Sequence, residues 1–564
     1  MRSALITADL LFAHGVKYII QSPGSRNTPL VMAVERHGGF KIYSIIDERS
    51  AAFVALGLAE RTGEPVALVC TSGTAVLNYA PAVAEAYYRN LPLIVISADR
   101  PSFWIDQSDG QTIRQSNVLE NIVKGSYDIP SDPNIRDIDW YVNRIVNSAL
   151  IKATYGLKGP VHLNIHFDNP LNAEIADSQI RQRIVNMVAP PTIMNLAAIR
   201  ESVSQCLEGI SYPKIALVLG TSLPDARLNK ALKRLSNCPQ LIIFHEAQSG
   251  INGISKCITA IDGVFATLSN EEKKKLYPDL IITLGGDIVS KALKEWLRNA
   301  PTSMQHWYLG KNRNEELIDC FQHLTQCIDV DIPSFLGTLS HILQKSYHSN
   351  YKEAWVKIKD IFENKLSEFM NDCAWCDLTA SSIIFNKLSS SVNLQISNGM
   401  SIRYAQLFCH NRFHRIDSNR GCNGIDGSTS TAIGASIDCP IPTVLLSGDM
   451  SFLYDIGALN LQCIPSSFRI FVINNKGGDI FRNIATTRGL PELETRFTLG
   501  RDRNFKDIAR SFNFDYYYTE DGTSLTNAIR IANQPSEKPI IIEIDTSSLN
   551  NSQIYRNLIE YLKP

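Results

Sequence analysis

Two short segments of this 564-residue chain place oxygen ligands directly after consecutive apolar runs. Gly448-Asp449-Met450-Ser451 follows the run at 443–447, and Asn474-Asn475-Lys476-Gly477-Gly478 follows the run at 469–473. If the runs are neighbouring parallel strands, their loops lie side by side. The Asp449 carboxylate, the Asn475 amide and the Gly477 carbonyl then form an all-oxygen set suited to magnesium or manganese, and such a cation would bridge the protein to a pyrophosphate. Gly477 and Gly478 let the backbone approach phosphate closely. Far upstream, the apolar run ending at Ile46 delivers Asp47-Glu48-Arg49-Ser50. Glu48 by itself reads as an ordinary acid at a helix N-terminus, and either glycine-bearing loop by itself as a turn.

Taken together, the three segments point to the two ends of a thiamine diphosphate site. The 449/475 loops would hold the diphosphate and its metal. Glu48 would hydrogen-bond a ring nitrogen of the aminopyrimidine, favouring the imino form that can take a proton from the thiazolium carbon. Apolar walls would keep that carboxylate poised to share a proton. The cofactor stabilises an acyl carbanion, which no side chain can do.

The elements that must position these groups read as α/β. At this length a single core is excluded, and about three domains are expected. Residues 1–180 alternate apolar strands (18–20, 42–46, 66–70, 93–96 and 161–165) with helical stretches. Strands apolar on both faces argue for a parallel sheet covered by helices on both sides, with ligands at the strands' carboxyl ends. Those ends carry Ser22-Pro23-Gly24-Ser25-Arg26, Asp47-Glu48, Thr71-Ser72-Gly73-Thr74 and Ser97-Ala98-Asp99-Arg100. A polar linker from Asn169 to Pro191 precedes a second α/β pattern at 190–350, with strands at 215–220, 241–244 and 280–286. A charged helical connector at about 346–375 leads to a third domain at 376–564, with strands at 393–397, 443–447, 469–473 and 540–544. Three doubly wound parallel-sheet domains result, the first and third alike in style.

The net charge of −1 gives no reason to expect nucleic acid or an anionic membrane, and no apolar run is long enough to span a bilayer. Lys273-Lys274-Lys275, preceded by Glu271-Glu272, reads as a solvated helix face. The N-terminus reads as an amphipathic helix interrupted by Asp9, not as a signal peptide. Twelve scattered cysteines without an export signal fit the reducing cytoplasm. Cys373-Ala374-Trp375-Cys376 has no second pair to complete a zinc site and reads as structural or incidental. His162 and His166 are expected to pack or cap.

Over nearly its whole length, and in order, the chain resembles the 2-succinyl-5-enolpyruvyl-6-hydroxy-3-cyclohexene-1-carboxylate synthases, thiamine-diphosphate enzymes of menaquinone biosynthesis. The resemblance is carried by Gly24-Ser25-Arg26-Asn27-Thr28-Pro29-Leu30, Asp47 to Phe53, Cys70 to Ala75, Ala98-Asp99-Arg100-Pro101, Asn419-Arg420-Gly421-Cys422-Asn423-Gly424-Ile425-Asp426-Gly427 and Asn474 to Phe481. It implies pyrimidine-binding, central and diphosphate domains, in that order. It also implies decarboxylation of 2-oxoglutarate and 1,4-addition of the resulting carbanion to isochorismate. Both substrates are dicarboxylates, for which arginine forks are suited. The family's positions fall on Arg403 and Arg420 for the 2-oxoglutarate side. They fall on Ser25, Arg26, Arg100 and Lys291 for isochorismate, with Gln111 nearby. Met450 and Ser451 join the cofactor-binding set. Ile425 would wedge beneath the cofactor, and Ile480 and Phe481 would keep the substrate side apolar, favouring loss of carbon dioxide. The resemblance further implies a homodimer or a dimer of dimers, with Glu48 and Asp449 serving one cofactor from two chains.

Three departures stand out: Gly399 where the family commonly has serine, Gly110 before Gln111 where asparagine is usual, and Met450 in place of a glycine. Ser401 is a candidate to replace the lost hydroxyl. Two competing readings are a different 2-oxo acid decarboxylase or carboligase, and a non-catalytic scaffold. The set of five cations argues against the first, and the presence of both Glu48 and Asp449 against the second. The central domain has no Gly-x-Gly-x-x-Gly opening a helix, so no dinucleotide or flavin is expected there.

Overall fold

The computed structural model describes every residue except 132–135, 173–181, 188–195, 207, 211–212, 311–316, 345–348, 410–411 and 414. The Ala189-Pro190-Pro191 end of the expected linker lies outside the described residues.

Three parallel sheets dominate. The first comprises β1 (Tyr18–Gln21), β2 (Lys41–Ser44), β3 (Val66–Cys70), β4 (Leu93–Asp99), β5 (Ser126–Ile129) and β6 (Val161–His166), in the order β2-β1-β3-β4-β6-β5. The second comprises β7 (Ile215–Leu219), β8 (Leu241–His245), β9 (Leu280–Leu284), β10 (Gln305–Leu309) and β11 (Leu324–Ile328), in the order β11-β10-β9-β7-β8. The third comprises β12 (Asn393–Ile396), β13 (Arg415–Asp417), β14 (Thr443–Gly448), β15 (Arg469–Asn474), β16 (Asp515–Thr519) and β17 (Ile540–Asp545), in the order β13-β12-β14-β15-β17-β16. The first and third sheets therefore share one topology. Inner strands such as β3, β4, β7, β9 and β15 are buried along their whole length, as continuous apolar runs require.

In each outer sheet the strand order reverses beside the first strand, between β1 and β3 and between β12 and β14. Such switch points open a crevice at the strands' carboxyl ends. Asn398-Gly399 and Asp449 leave β12 and β14 at one of them. The Ser22–Arg26 and Thr71–Thr74 loops leave β1 and β3 at the other. At the corresponding point of the second sheet, a Cβ on Gly220 would stand 2.0 Å from the Gly286 carbonyl, so backbone fills that place.

The chain forms two compact units. One holds residues 1–189, 419–443 and 451–468, and the other holds 190–418, 444–450 and 469–564. The first unit is built on the first sheet, with Ile19, Val69, Ile96, Leu150 and Leu163 in its core. The second unit is built on the other two sheets. There Phe244, Trp296, Trp355, Phe385, Phe471 and Ile542 share one apolar cluster, and the Phe244 and Trp355 rings meet edge-on at 5.0 Å. No helix among the described residues is long and apolar enough to cross a membrane.

Within the first unit, the helix Glu48–Thr62 starts where Asp47 accepts the Arg49 and Ser50 N–H groups (2.9 and 3.4 Å) and stops at Gly63 in the left-handed region. It crosses the helix Ser428–Ser436 at glycines on both sides. A Cβ on Gly57 would stand 2.0 Å from the Thr431 carbonyl, and one on Gly434 2.0 Å from the Val54 carbonyl.

Candidate functional site

The Asp449 and Asn475 loops lie in the second unit. Asp449 leaves β14 buried, and its carboxylate accepts the Met450 N–H at 2.7 Å and the Gly477 N–H at 2.8 Å. Burial nevertheless pushes its pKa up to about 7, against those two donors. Asn475 leaves the adjacent strand β15. Its Nδ2 donates to Asp377 at 2.7 Å, and its Oδ1 is buried without a hydrogen-bond partner. Gly477 takes φ 139°, and a Cβ there would stand 2.8 Å from the Thr498 carbonyl; Gly478 N–H donates to the same carbonyl at 2.8 Å. Buried polar atoms are normally paired, and an orphaned amide oxygen beside a buried carboxylate is a place that a cation would satisfy. Asp449, Asn475 and the Gly477 carbonyl therefore fit a hard divalent ion.

Met450 follows Asp449 half-buried. Ile480 and Phe481 open the short helix Ile480–Asn483. Ile480 packs on the core, and Phe481 sits 5.7 Å from the Phe497 ring. This gives the 474–478 loop an apolar flank.

Arg403, half-buried, occupies the helix Met400–Phe408, and Lys291, exposed, starts the helix Lys291–Arg298. The Lys291 helix is firmly held. Buried Glu246 accepts the Val289 and Ser290 N–H groups at 2.7 Å each, Asp262 accepts Ser290 Oγ and the Ala292 N–H, and Ser290 Oγ accepts the Leu293 N–H at 3.1 Å. Tyr555 feels both Asp262 and Arg403. Burial and then Asp262 raise its pKa to about 12, with Arg403 opposing. Gly399 has φ 104° and ψ −135°, a conformation that a side-chain-bearing residue reaches only under strain. The departure from serine is thus built into the backbone, while Ser401, beside it, is buried.

The first unit gathers the other residues at the carboxyl ends of β1, β3, β4 and β6. Arg26 is buried. Its N–H donates to Thr71 Oγ1 at 3.2 Å, and its guanidinium to the Phe167 carbonyl at 3.1 Å. Burial, and next the charge of Arg100, lower its pKa, with Asp109, Asp168 and Asp99 opposing. Arg100 pairs with Asp109 at 2.8 Å and donates from Nε and Nη2 to the Gly110 carbonyl at 2.9 and 2.6 Å. Gln111 follows with φ 54°, its carbonyl 3.3 Å from where a Cβ on Gly73 would be. Gln115 ties the loop down by accepting the Gly73 N–H at 2.7 Å and donating to Asn164 at 2.9 Å. Ser25 is exposed, and its carbonyl accepts Thr28 Oγ1 at 2.7 Å. His162 and His166 belong to a buried polar network under these loops. His162 meets Ser97 Oγ at 2.7 Å, and His166 meets Asp128 at 2.9 Å.

Glu48 sits half-buried on the first turn of its helix, near enough to Cys70 that its charge adds to the burial that raises that thiol's pKa. The Arg420–Gly427 loop is anchored by Glu85, which accepts the Gly421 and Cys422 N–H groups at 2.7 and 2.6 Å. Ile425 is 37 % exposed on that loop, and its carbonyl accepts Ser451 Oγ at 2.7 Å. Asp455, fully buried, accepts the Ser430 N–H at 2.6 Å and lies 3.7 Å from Arg49.

The expected site residues thus form two sets. Ser25, Arg26, Glu48, Arg100, Gln111, Arg420, Ile425 and Ser451 lie in the first unit. Lys291, Arg403, Asp449, Met450, Asn475, Gly477, Gly478, Ile480 and Phe481 lie in the second. Asp377 was not among the residues expected from the sequence. Its only signal is that it follows the Cys373–Cys376 pair, whose sulfurs stand 3.8 Å apart.

Comparison with known proteins gives a consistent result. The family described as thiamine pyrophosphate enzyme, N-terminal TPP binding domain, matches residues 1–118. A 2-succinyl-5-enolpyruvyl-6-hydroxy-3-cyclohexene-1-carboxylate synthase of Porphyromonas gingivalis is 35% identical, covering 99% of this chain and 96% of the relative. Proteins of the same name from Flavobacterium psychrophilum (36% identical; 97% and 96% covered) and Bacteroides fragilis (34%; 100% and 99%) are similar along their full length.

Proposed function

The chain belongs to the 2-succinyl-5-enolpyruvyl-6-hydroxy-3-cyclohexene-1-carboxylate synthase family, and we infer that it catalyses that family's step of menaquinone biosynthesis. It is a thiamine-diphosphate-dependent transferase. The reaction joins the four-carbon unit left by decarboxylation of 2-oxoglutarate to isochorismate by 1,4-addition, releasing carbon dioxide. The observation that best supports the site reading is that Asp449 and Asn475 leave adjacent strands β14 and β15, and that the Asn475 amide oxygen is buried without a hydrogen-bond partner.

Thiamine diphosphate, when bound, supplies the electron sink for the carbanion. The chain's own residues do the rest. Asp449, Asn475 and the Gly477 carbonyl would hold magnesium or manganese, and the family pattern assigns Gly478, Met450 and Ser451 to the diphosphate. Glu48 would hydrogen-bond the aminopyrimidine, holding a proton at its ring nitrogen. Ile425 would offer the cofactor an apolar contact. Arg403 and Arg420 take the carboxylates of 2-oxoglutarate. Ser25, Arg26, Arg100, Lys291 and Gln111 take isochorismate; the mutual repulsion of Arg26 and Arg100 is relieved when a carboxylate arrives. Ile480 and Phe481 exclude water from the carboxylate that leaves.

The family pattern supports a homodimer, with Glu48 and Asp449 contributed to each cofactor by different chains. All twelve cysteines are free, which supports placement in the reducing cytoplasm.

The test is consumption of isochorismate, followed by ultraviolet absorbance, with magnesium, thiamine diphosphate and 2-oxoglutarate present and each omitted in turn. Loss that requires all three is the expected result. Release of carbon dioxide from 2-oxoglutarate with isochorismate untouched would refute the assignment of acceptor.

A further inference from the structure

An asparagine can present either end of its amide to a ligand, so Asn475 serves a cation only if something turns its oxygen the right way. That something is on an element 98 residues earlier in the chain. Asp377 opens the helix Asp377–Lys387, directly after the capping residue Cys376, and is 1 % exposed. Its Oδ2 accepts Asn475 Nδ2 at 2.7 Å, and its Oδ1 accepts Thr546 Oγ1. Its own N–H donates to Asn551 Oδ1 at 2.7 Å, and Asn551 Nδ2 donates to the Thr546 carbonyl at 2.9 Å. Thr546 N–H donates in turn to the carbonyl of Asn474, next to Asn475, at 3.2 Å. These contacts close a ring around the Asp377 carboxylate. The nearby carboxylate of Asp479 is turned to Arg482 at 3.1 Å.

A carboxylate facing an amide takes its nitrogen; the reversed amide would set two acceptor oxygens against each other in a buried place. Nδ2 is therefore committed to Asp377, and Oδ1 is the end left over, buried without a protein partner. We propose that Asp377 is a positioning residue of the metal centre. It locks the Asn475 amide so that Oδ1 faces the divalent cation, and by accepting from Nδ2 it makes that oxygen a better donor. This rests on the metal reading above. It is the amide counterpart of the carboxylates that orient metal-bound histidines, whose loss weakens metal binding about 10–100-fold.

The experiment is manganese binding to the full-length protein in the presence of thiamine diphosphate, read as free Mn2+ by electron paramagnetic resonance, with folding checked by circular dichroism. Asp377→Ala should raise the manganese Kd about 10–100-fold. Asp377→Asn should recover most of the affinity, because its amide oxygen still accepts from Asn475 and its nitrogen can donate to Thr546. Wild-type affinity in folded Asp377→Ala overturns the positioning role, even if that variant melts earlier. Should Asp377→Ala fail to fold, the charge swap decides. Asn475→Asp alone sets two carboxylates together and weakens binding. Adding Asp377→Asn restores a donor–acceptor pair and should restore binding; no recovery overturns the proposal. The Asp449→Ala variant separates the two levels. Wild-type manganese affinity there refutes the metal centre itself and the positioning role with it, whereas a loss at Asp449→Ala with none at Asp377→Ala refutes only the latter.

Discussion

Gly57→Ala probes the helix crossing that fixes Glu48. The added Cβ would stand 2.0 Å from the Thr431 carbonyl oxygen and 2.9 Å from the Ala435 nitrogen. Close carbon–oxygen contacts settle near about 3.3 Å, so the two helices must part by about 1 Å. The opposing atom is backbone inside a helix and cannot swing aside, which places the cost toward the top of the overpacking range, about 3 kcal/mol. Alanine recovers about 1 kcal/mol of helix propensity over glycine. The net loss is about 2 kcal/mol, or about 4–8 °C for a unit of this size. Gly337 is the control, because it is also inside a helix, Ile332–Gln344, but a Cβ there meets nothing within 4 Å. Gly337→Ala should therefore gain about 1 kcal/mol. Scanning calorimetry reads both, and turnover adds a second measure. The Gly57 helix carries Glu48 on its first turn, and a displacement of about 1 Å costs up to about 100-fold in rate. If Gly57→Ala melts at or above the wild-type temperature, the close crossing is wrong and propensity alone governs the site.

Glu48→Gln should keep manganese and thiamine diphosphate bound while exchange of the thiazolium proton, followed by NMR, and turnover are lost; full turnover would remove Glu48 from its assigned role. Asp449→Ala should weaken metal and cofactor binding, with activity partly restored by high magnesium and cofactor; loss that no concentration repairs points to a folding defect instead. The third test concerns pH. Burial holds the His162 imidazole down to about 4, against about 6.5 in an unfolded chain. Between those values the unfolded chain binds the proton and the folded one does not, so stability is present above pH 6.5 and lost as pH falls toward 4. At pH 5 the loss is about 2 kcal/mol. In His162→Gln the difference in unfolding free energy between pH 7 and pH 5, read from urea titrations, should shrink by about that amount; an unchanged difference would show that His162 does not carry it.

The parallel α/β class and the inner strands were legible because a strand buried on both faces is an apolar run, and a run is local information. The strands β5, β10, β11, β13 and β16 were not among those expected. All but β10 lie at sheet edges, where one side needs no apolar cover, and the residues of β5, β11 and β16 are largely half-exposed. β6 was read as apolar between two histidines. It carries His162, Asn164 and His166 inside the core, because Ser97, Asp99 and Asp128 reach them from neighbouring strands. Gly399 read as a missing hydroxyl. The backbone shows a positive φ there, which a sequence without coordinates does not display.

By itself the sequence placed Asp449, Asn475, Glu48 and Arg26 beyond the ends of strands, because a strand's end and the residues after it are neighbours in the chain. It also determined the family, through whole segments matched in order. Only the tertiary structure decided which way those groups face. Asp377 meets Asn475 from a remote element and is itself held by Thr546 and Asn551, Glu246 and Asp262 hold the Lys291 helix, and Gly57 meets Thr431 across a helix crossing. Orientation is set by hydrogen-bond partners and steric contacts that come together only when distant segments pack, and no local spacing records them.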